Sequence, residues 1–497
     1  MSRHAVVFGL TASFLMASTA AMAAEKEPHP FEHVRATIQD MVVTGWLPSM
    51  SVAVAKDGKI IWEEGFGLAD VQNKVPATPH TLYSMASISK PITATGLMVL
   101  VNRGQVALDK PMNDYLGPAK LTAFTGNVND ATVRRIANHT SGLPLHYQFF
   151  YEDEDLRRPA FDESIRRYGK LVTVPGATYQ YSNFGFGLID HVIARTSKMS
   201  YEAFMEAEVF KPLGLSNIVA GRPVSGKGAR HKENQIAKRY APTGAVIPHY
   251  DFDHMGASAV YASAHDLVRF GMFYLKNHLA DQKAIFPDTV IDEMLHVSTP
   301  PGKGPNPPRY GIGFAAYEVD GSPARGHSGG MGGVSTDLTL STDHNIAIVV
   351  LVNAQNQSRE IGRIREMIHR TLVPSKEKQR VFAKDSALQG AWRGSVETYE
   401  KKIPVVLTVG DSAVQMKVGN GAQQNVTDVR LDDEGFLWLS SVEGDLATAD
   451  AGRYPYRLMF KLAPANGELT GTVTAMSVGM SGRTGNGLSS WTKLAKD

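Results

Sequence analysis

Apolar and polar positions alternate from Ser51 to Lys56, break at Asp57-Gly58, and resume from Lys59 through Ile60, Ile61 and Trp62 to Glu63. Two β-prone runs joined by Asp-Gly predict a tight hairpin. The middle of the chain changes period. Ile92 to Val101 is apolar on most faces, Phe184 to Arg195 follows a Ser-Asn start, and Ser263 to Leu275 opens on a capping serine. Each of these predicts a helix. Strand character returns at Thr336 to Leu340 and Ile346 to Val352, which flank Asp343-His344-Asn345. Strands at both ends of a long helical insertion predict an α+β unit over residues 24–373, its sheet joining N- and C-terminal segments.

Around residues 374–386 the pattern gives way to polar and charged residues, the mark of a linker. Short alternating runs follow at Val405 to Val409, Val414 to Val418, Phe436 to Leu439, Tyr456 to Leu462 and Leu469 to Val473. Turn signals separate them, Asn466-Gly467 the clearest. This spacing without helical periods predicts a small antiparallel β-barrel or sandwich over 387–497.

The first 23 residues read as an address. Arg3 and His4 precede an apolar stretch from Ala5 to Ala20, and Ala21-Met22-Ala23 is an A-x-A cleavage site. A signal peptide over 1–23 predicts a mature chain from Ala24, periplasmic or secreted, with no membrane span after cleavage. The 497 residues include no cysteine, which excludes disulfides and a thiolate nucleophile. With 51 Lys+Arg against 49 Asp+Glu the net charge is +2, which gives no pull toward nucleic acid or acidic membranes. The 16 histidines lack H-E-x-x-H or similar spacing, so the expectation is no metal and no cofactor. The aspartates around His254 read as a turn, with a weak cation site left open there.

The candidate chemistry centres on Ser87-Ile88-Ser89-Lys90. Three residues apart on a helix, Ser87 and Lys90 share a face. A helix starting at Ser87 would set its positive end beside both, disfavouring the ammonium form and offering an N–H to an oxyanion. Ser375-Lys376-Glu377-Lys378 matches the same spacing but lies in the linker. Two further motifs accompany Ser87. Tyr181-Ser182-Asn183 follows Pro175-Gly176, its tyrosine able to share a proton with Lys90 and its asparagine able to hold a carbonyl. Gly326-His327-Ser328-Gly329-Gly330-Met331-Gly332-Gly333 would let a strand edge approach a ligand closely.

In that order the three motifs resemble the S-x-x-K, Y-x-N and K-T-G or H-x-G elements of the serine β-lactamase and penicillin-binding-protein family. Tyr83-Ser84-Met85-Ala86, His139-Thr140-Ser141-Gly142-Leu143-Pro144, Tyr310 to Phe314 and Asn353 extend the resemblance over roughly residues 30 to 370. It implies an α+β β-lactamase/transpeptidase-like domain, an antiparallel sheet flanked by helices plus an all-helical region, here followed by the small barrel. It also implies roles. Ser87 becomes acylated, Lys90 and Tyr181 move the proton, and Asn183 orients the substrate amide. His327, Ser328, Gly329 and Gly330 line the substrate strand, with the N–H groups of Ser87 and Gly330 as oxyanion hole. The implied activity is cofactor-free acyl transfer from a small-molecule or peptide substrate with a carbonyl: a D-amino acid peptide or amide, or a small ester.

His327 departs from the lysine of β-lactamases, and a mostly neutral histidine gives a weaker anion site. The H-x-G strand is more similar to D-aminopeptidases and esterases of the family. Leu388 to Gly394 resembles the start of the lipocalin-like barrels appended to some of these hydrolases, with Trp392 as a plug. Other readings compete. β-Lactamase activity is one, and a penicillin-binding sensor or ligand carrier with little turnover is another. Gly326-His327-Ser328-Gly329-Gly330 also matches the G-x-S-x-G elbow of α/β-hydrolases, with Ser328 as nucleophile, but that elbow requires a following helix. The polar stretch Ser225 to Pro248 is the expected source of specificity.

Overall fold

The computed structural model describes residues 29–155, 157–223, 231–300, 309–373, 387–410, 413–426, 428–431, 435–444, 446, 448, 456–477 and 487–497. The expected signal segment over 1–23, the expected linker with its second S-x-x-K match, and residues 225–230 of the polar stretch lie outside these.

Seven strands form the sheet of the first unit, in the order Ala315–Val319, Ser322–Met331, Val334–Ser341, Ile346–Val352, Ser49–Lys56, Lys59–Asp70 and Val75–Pro76. The expected hairpin is present, and Asp57 (φ 49°) and Gly58 (φ 75°) supply the left-handed pair that a two-residue turn needs. The seam between chain ends is present too, with Met50 opposite Val352 and Lys56 opposite Ile346, antiparallel. Ser49–Lys56 and Ile346–Val352 are buried almost throughout because both faces of the sheet are covered. On one face Val52, Val54, Ile348 and Val350 pack with Val34 and Ile38 of helix Glu32–Val43 and Ile361 and Ile364 of helix Ser358–Leu372. On the other, Ala53, Leu338, Leu340, Val349 and Leu351 join Leu267 and Phe270 of helix Ala264–Tyr274 and the larger core of the helical region.

At the heart of that region, helix Ser89–Asn102 is buried at every position from Ser89 to Leu100. A helix apolar all round must be enclosed, and it is, with helix Asn183–Ser197 against it. It begins three residues earlier than its apolar run predicts, and Ser87 stands just before it, in a 3-10 turn over Ala86–Ile88. Gly313 (φ 80°) closes the packing from the sheet side, where an added Cβ would strike Ala94 and Pro91.

Among the described residues, the C-terminal unit is an antiparallel meander of nine strands. Its first strand, Gly390–Glu397, pairs with both the second, Lys402–Val409, and the last, Gly487–Lys496, which curls the sheet into a small barrel. Strand Tyr456–Ala465 alternates buried and half-buried side chains for eight residues, as a wall with one packed face must. Trp392, 2% exposed, fills the interior with Leu407, Phe460 and Leu494, and its indole N–H donates to the Leu388 carbonyl at 2.8 Å. Trp392→Ala removes both the largest side chain of this core and that hydrogen bond. It is expected to lower stability by about 3–5 kcal/mol, read as a fall in the denaturant midpoint by circular dichroism.

Candidate active site

The turn carrying Ser87 is held from two sides. Met85 donates its N–H to the Val260 carbonyl at 2.8 Å, and Thr336 Oγ1 donates to the Met85 carbonyl at 3.0 Å. Ala86 is held at φ 47°, a left-handed conformation that costs a residue with a Cβ, so the turn stores strain beside the serine. Gly329 makes the close approach possible, since a Cβ there would collide with Thr336 Oγ1 and the Met85 carbonyl.

Lys90 has no solvent-exposed surface. Its Nζ lies 3.1 Å from Ser87 Oγ, 2.7 Å from Asn183 Oδ1 and 3.1 Å from the Ala257 carbonyl. No carboxylate pairs with it among the described residues. Rings enclose it instead, with Nζ 4.8 Å from the centre of Tyr181 and 5.8 Å from that of Phe186. Burial without a counter-ion drives the Lys90 pKa well below 10.5 and favours the neutral amine.

Tyr181 hydrogen-bonds Ser87, and burial raises its pKa, so the phenol stays protonated. The Tyr181-Ser182-Asn183 segment is fixed by its middle residue. Ser182 donates from Oγ to the Pro144 carbonyl (2.7 Å), accepts from Gly185 N–H as the helix cap (3.0 Å), and gives its own N–H to His139 Nδ1 (3.1 Å). The His139 ring lies 4.3 Å from the Tyr181 ring and 4.8 Å from that of Tyr310. Burial and the neighbouring Lys90 hold His139 neutral. The supporting motifs of the sequence thus form the wall behind the tyrosine.

His327 is 6% exposed; its Nδ1 lies 2.6 Å from the Ser328 carbonyl, and its Nε2 is buried without a partner. Burial, then Lys90, pushes its pKa down to about 3. At neutral pH it is an uncharged ring, a poor match for an anion. Gly330 faces open space, whereas Gly329 packs inward.

Several expectations change. Ser87 sits in a 3-10 turn rather than starting the α-helix, although it remains at the N-terminal end of Ser89–Asn102. Ser328 lies within strand Ser322–Met331 and pairs with Asp337; the chain continues as strand Val334–Ser341, not as the helix an elbow needs. His344 bonds Ser322 and His369 sits beside Asp320, both at the strand's far end, so no triad forms on Ser328. The aspartates near His254 are not a simple turn. Tyr250–Phe252 is a short strand, and buried Asp253 bonds His146 Nε2 (2.7 Å) and lies 2.8 Å from His254 Nδ1. The only grouping of metal-ligand type among the described residues is Glu63, His80 and His265, drawn from distant positions that no spacing rule would have linked. The Ala257 carbonyl was invisible in sequence because any residue supplies one. Thr336 was legible only as a strand residue.

The sequence profile of the β-lactamase family matches residues 34–369, and the chain belongs to that family. It is 26% identical over 330 residues to penicillin-binding protein 4* of Bacillus subtilis, covering 62% of this chain and 68% of that protein. It is 27% identical over 353 residues to an unguisins hydrolase of Aspergillus campestris, covering 68% and 64%. The fold is similar to the octameric penicillin-binding protein homologue from Pyrococcus abyssi, with a TM-score of 0.58 at 20% identity over 93% of this chain and 99% of that one. Solved structures of similar fold include a D-amino acid amidase from Ochrobactrum anthropi, with a TM-score of 0.54 at 20% identity over 68% of this chain and 99% of that one. No helix among the described residues is long and apolar enough to cross a membrane.

The neutral amine makes stability pH-dependent in a defined direction. The unfolded chain protonates Lys90 up to its ordinary value of 10.5, whereas the folded protein releases that proton at lower pH. Stability therefore climbs with pH between the two values, by at most about 1.4 kcal/mol per pH unit for this one group. Lys90→Met is expected to flatten that climb when urea denaturation is compared from neutral to mildly alkaline pH. Parallel curves for the two proteins would mean that Lys90 is charged in the folded state.

Proposed function

We propose that this chain is an exported acyl hydrolase working through a covalent acyl-Ser87 intermediate on amide or ester bonds. One observation carries the reading. A neutral lysine has two N–H groups and one lone pair, and two of the three neighbours of Lys90 Nζ, Asn183 Oδ1 and the Ala257 carbonyl, can only accept. The lone pair is left for the third, the Ser87 hydroxyl at 3.1 Å.

Ser87 Oγ attacks the substrate carbonyl while its proton passes to Lys90, and the N–H groups of Ser87 and Gly330 receive the developing oxyanion. Tyr181 hands a proton to the departing amine or alkoxide and is reprotonated from Lys90. Water then attacks the ester, with the same groups running the transfers in reverse, and the acid leaves as Ser87 is restored. Asn183, its Oδ1 engaged by Lys90, presents its NH2 to a substrate carbonyl. The site assignments are Ser87, Lys90 and Tyr181 for the chemistry, and Asn183, His327, Ser328, Gly329 and Gly330 for the substrate. No cofactor is required. The uncharged His327 favours D-amino acid peptides or amides and small esters over substrates anchored by a carboxylate at that position, which weakens a β-lactamase reading. The 1–23 segment, read as a signal peptide, supports a mature protein in a periplasm or outside the cell, and the C-terminal barrel reads as a lipocalin-like module plugged by Trp392.

Intact-mass analysis after treatment with a fluorophosphonate tests the nucleophile. A single adduct mapping to Ser87 and absent from Ser87→Ala is expected. Labelling of Lys90→Met is expected to slow by about 10²-fold or more. A penicillin run alongside separates the alternatives: a stable adduct indicates a sensor, rapid turnover a β-lactamase. An adduct on Ser328 in the Ser87→Ala protein would overturn the assignment.

A further inference from the structure

Beside the turn that carries Ser87 lies a small pocket, lined by Ser84, Arg222, Arg239, His249, Tyr250 and Met331 among others. It adjoins the site through the chain itself, since Ser84 is three residues before Ser87 and Met331 directly follows Gly330. Arg239 is only 7% exposed, yet no carboxylate pairs with it among the described residues. Two acids lie nearby, Asp251 in the pocket lining itself. Glu152 pairs with Arg222 at 2.9 Å and accepts the His249 backbone N–H at 3.3 Å, and Asp251 lies 3.3 Å from His249 Nε2.

The guanidinium is firmly held. It stacks on the Tyr250 ring with Cζ 3.8 Å from the ring centre, and Nη2 lies 3.1 Å from His249 Nδ1. Its backbone is fixed from both sides, by Ile247 N–H to the Arg239 carbonyl (2.8 Å) and by Tyr240 N–H to the Asn353 carbonyl (3.1 Å). Tyr250 in turn donates its hydroxyl to the Gly332 carbonyl at 2.9 Å, which ties the arginine to the end of the glycine strand. Ser84 also lines the pocket, and its Oγ is buried without a hydrogen-bond partner among the described residues. A buried hydroxyl without a partner is costly unless a ligand completes it.

We infer that this pocket binds a carboxylate on the acyl part of the substrate, with Arg239 as its counter-ion and Ser84 as a second donor. A planar guanidinium suits a carboxylate, and its burial makes the pair stronger than one at the surface. The inference rests on Ser87 as the acylated residue and adds the class of acyl group it accepts: one ending in a carboxylate, read by a residue of the polar stretch expected to set specificity.

The test compares kcat/KM for the p-nitrophenyl monoester of glutarate with that for p-nitrophenyl pentanoate, which has the same chain length without the carboxylate. The wild-type protein is expected to favour the glutarate ester by about tenfold or more. Arg239→Gln is expected to bring the ratio to one or below, and Arg239→Lys to restore part of it. Using the ratio cancels any general loss of active protein. A wild-type preference for pentanoate, or a ratio untouched by Arg239→Gln, would overturn the inference. If neither ester acylates Ser87, the hydrolase reading fails separately. Calorimetry with glutarate then decides the pocket: binding lost in Arg239→Gln upholds it, and no binding to the wild type refutes it.

Discussion

An amine removed from water with no acid beside it can stay buried only if it gives up its charge and its remaining polar contacts are met. Much of the structure around the site serves that condition at Lys90. Its three partners come from remote segments, and each segment has its own support. Ser182 and His139 pin the loop of Asn183. The loop of Ala257 is held by Asp190, which accepts from Met255 and Gly256 N–H at 2.8 and 2.5 Å, and by Thr93 Oγ1, which donates to the Gly256 carbonyl at 2.7 Å. Burial raises Asp190 itself to about 7, so one desolvated group braces the surroundings of another. The turn of Ser87 is braced by Thr336 and Val260.

Most of this architecture was legible in the sequence for physical reasons. The two-sided burial of Ile346–Val352 shows as an unbroken apolar run, and the Asp57-Gly58 and Asn466-Gly467 turns show as the residues that tolerate left-handed backbone. The grouping of Ser87, Lys90 and Tyr181 was legible because their motifs recur together in order. Other parts were not. A helix pattern cannot show that Ser87 precedes its helix on a 3-10 turn, because the first turn of either has the same composition. Arg239 could be placed only in a polar stretch, since its burial depends on Tyr250 and Gly333 folding over it.

The two halves of the cleft differ in electrical character. Around the serine, Lys90, His139 and His327 are all pushed toward their neutral forms by burial, and Tyr181 is kept protonated. Under the proposed mechanism, proton transfers there start from uncharged donors and acceptors, and charge appears only as the reaction creates it. The fixed cation lies next door, in the pocket of Arg239. In the proposed reading, recognition of an ionic group is thereby separated from the atoms that exchange protons. A lysine in place of His327 would set a positive charge beside the neutral Lys90 and bring the two functions together.

The seam between Ser49–Lys56 and Ile346–Val352 also bears on how the protein acquires its fold. The central ladder joins residues about three hundred positions apart, so the chain must close a very long loop before its sheet exists, and such topologies fold slowly. The helical insertion has its own local contacts and can gather early. The Thr336 hydroxyl and the strand of Gly329, which hold the serine's turn in its strained shape, belong to the last third of the unit. A chain interrupted before residue 320 would carry the serine, the lysine and the tyrosine, with no surface on which to bring them into register.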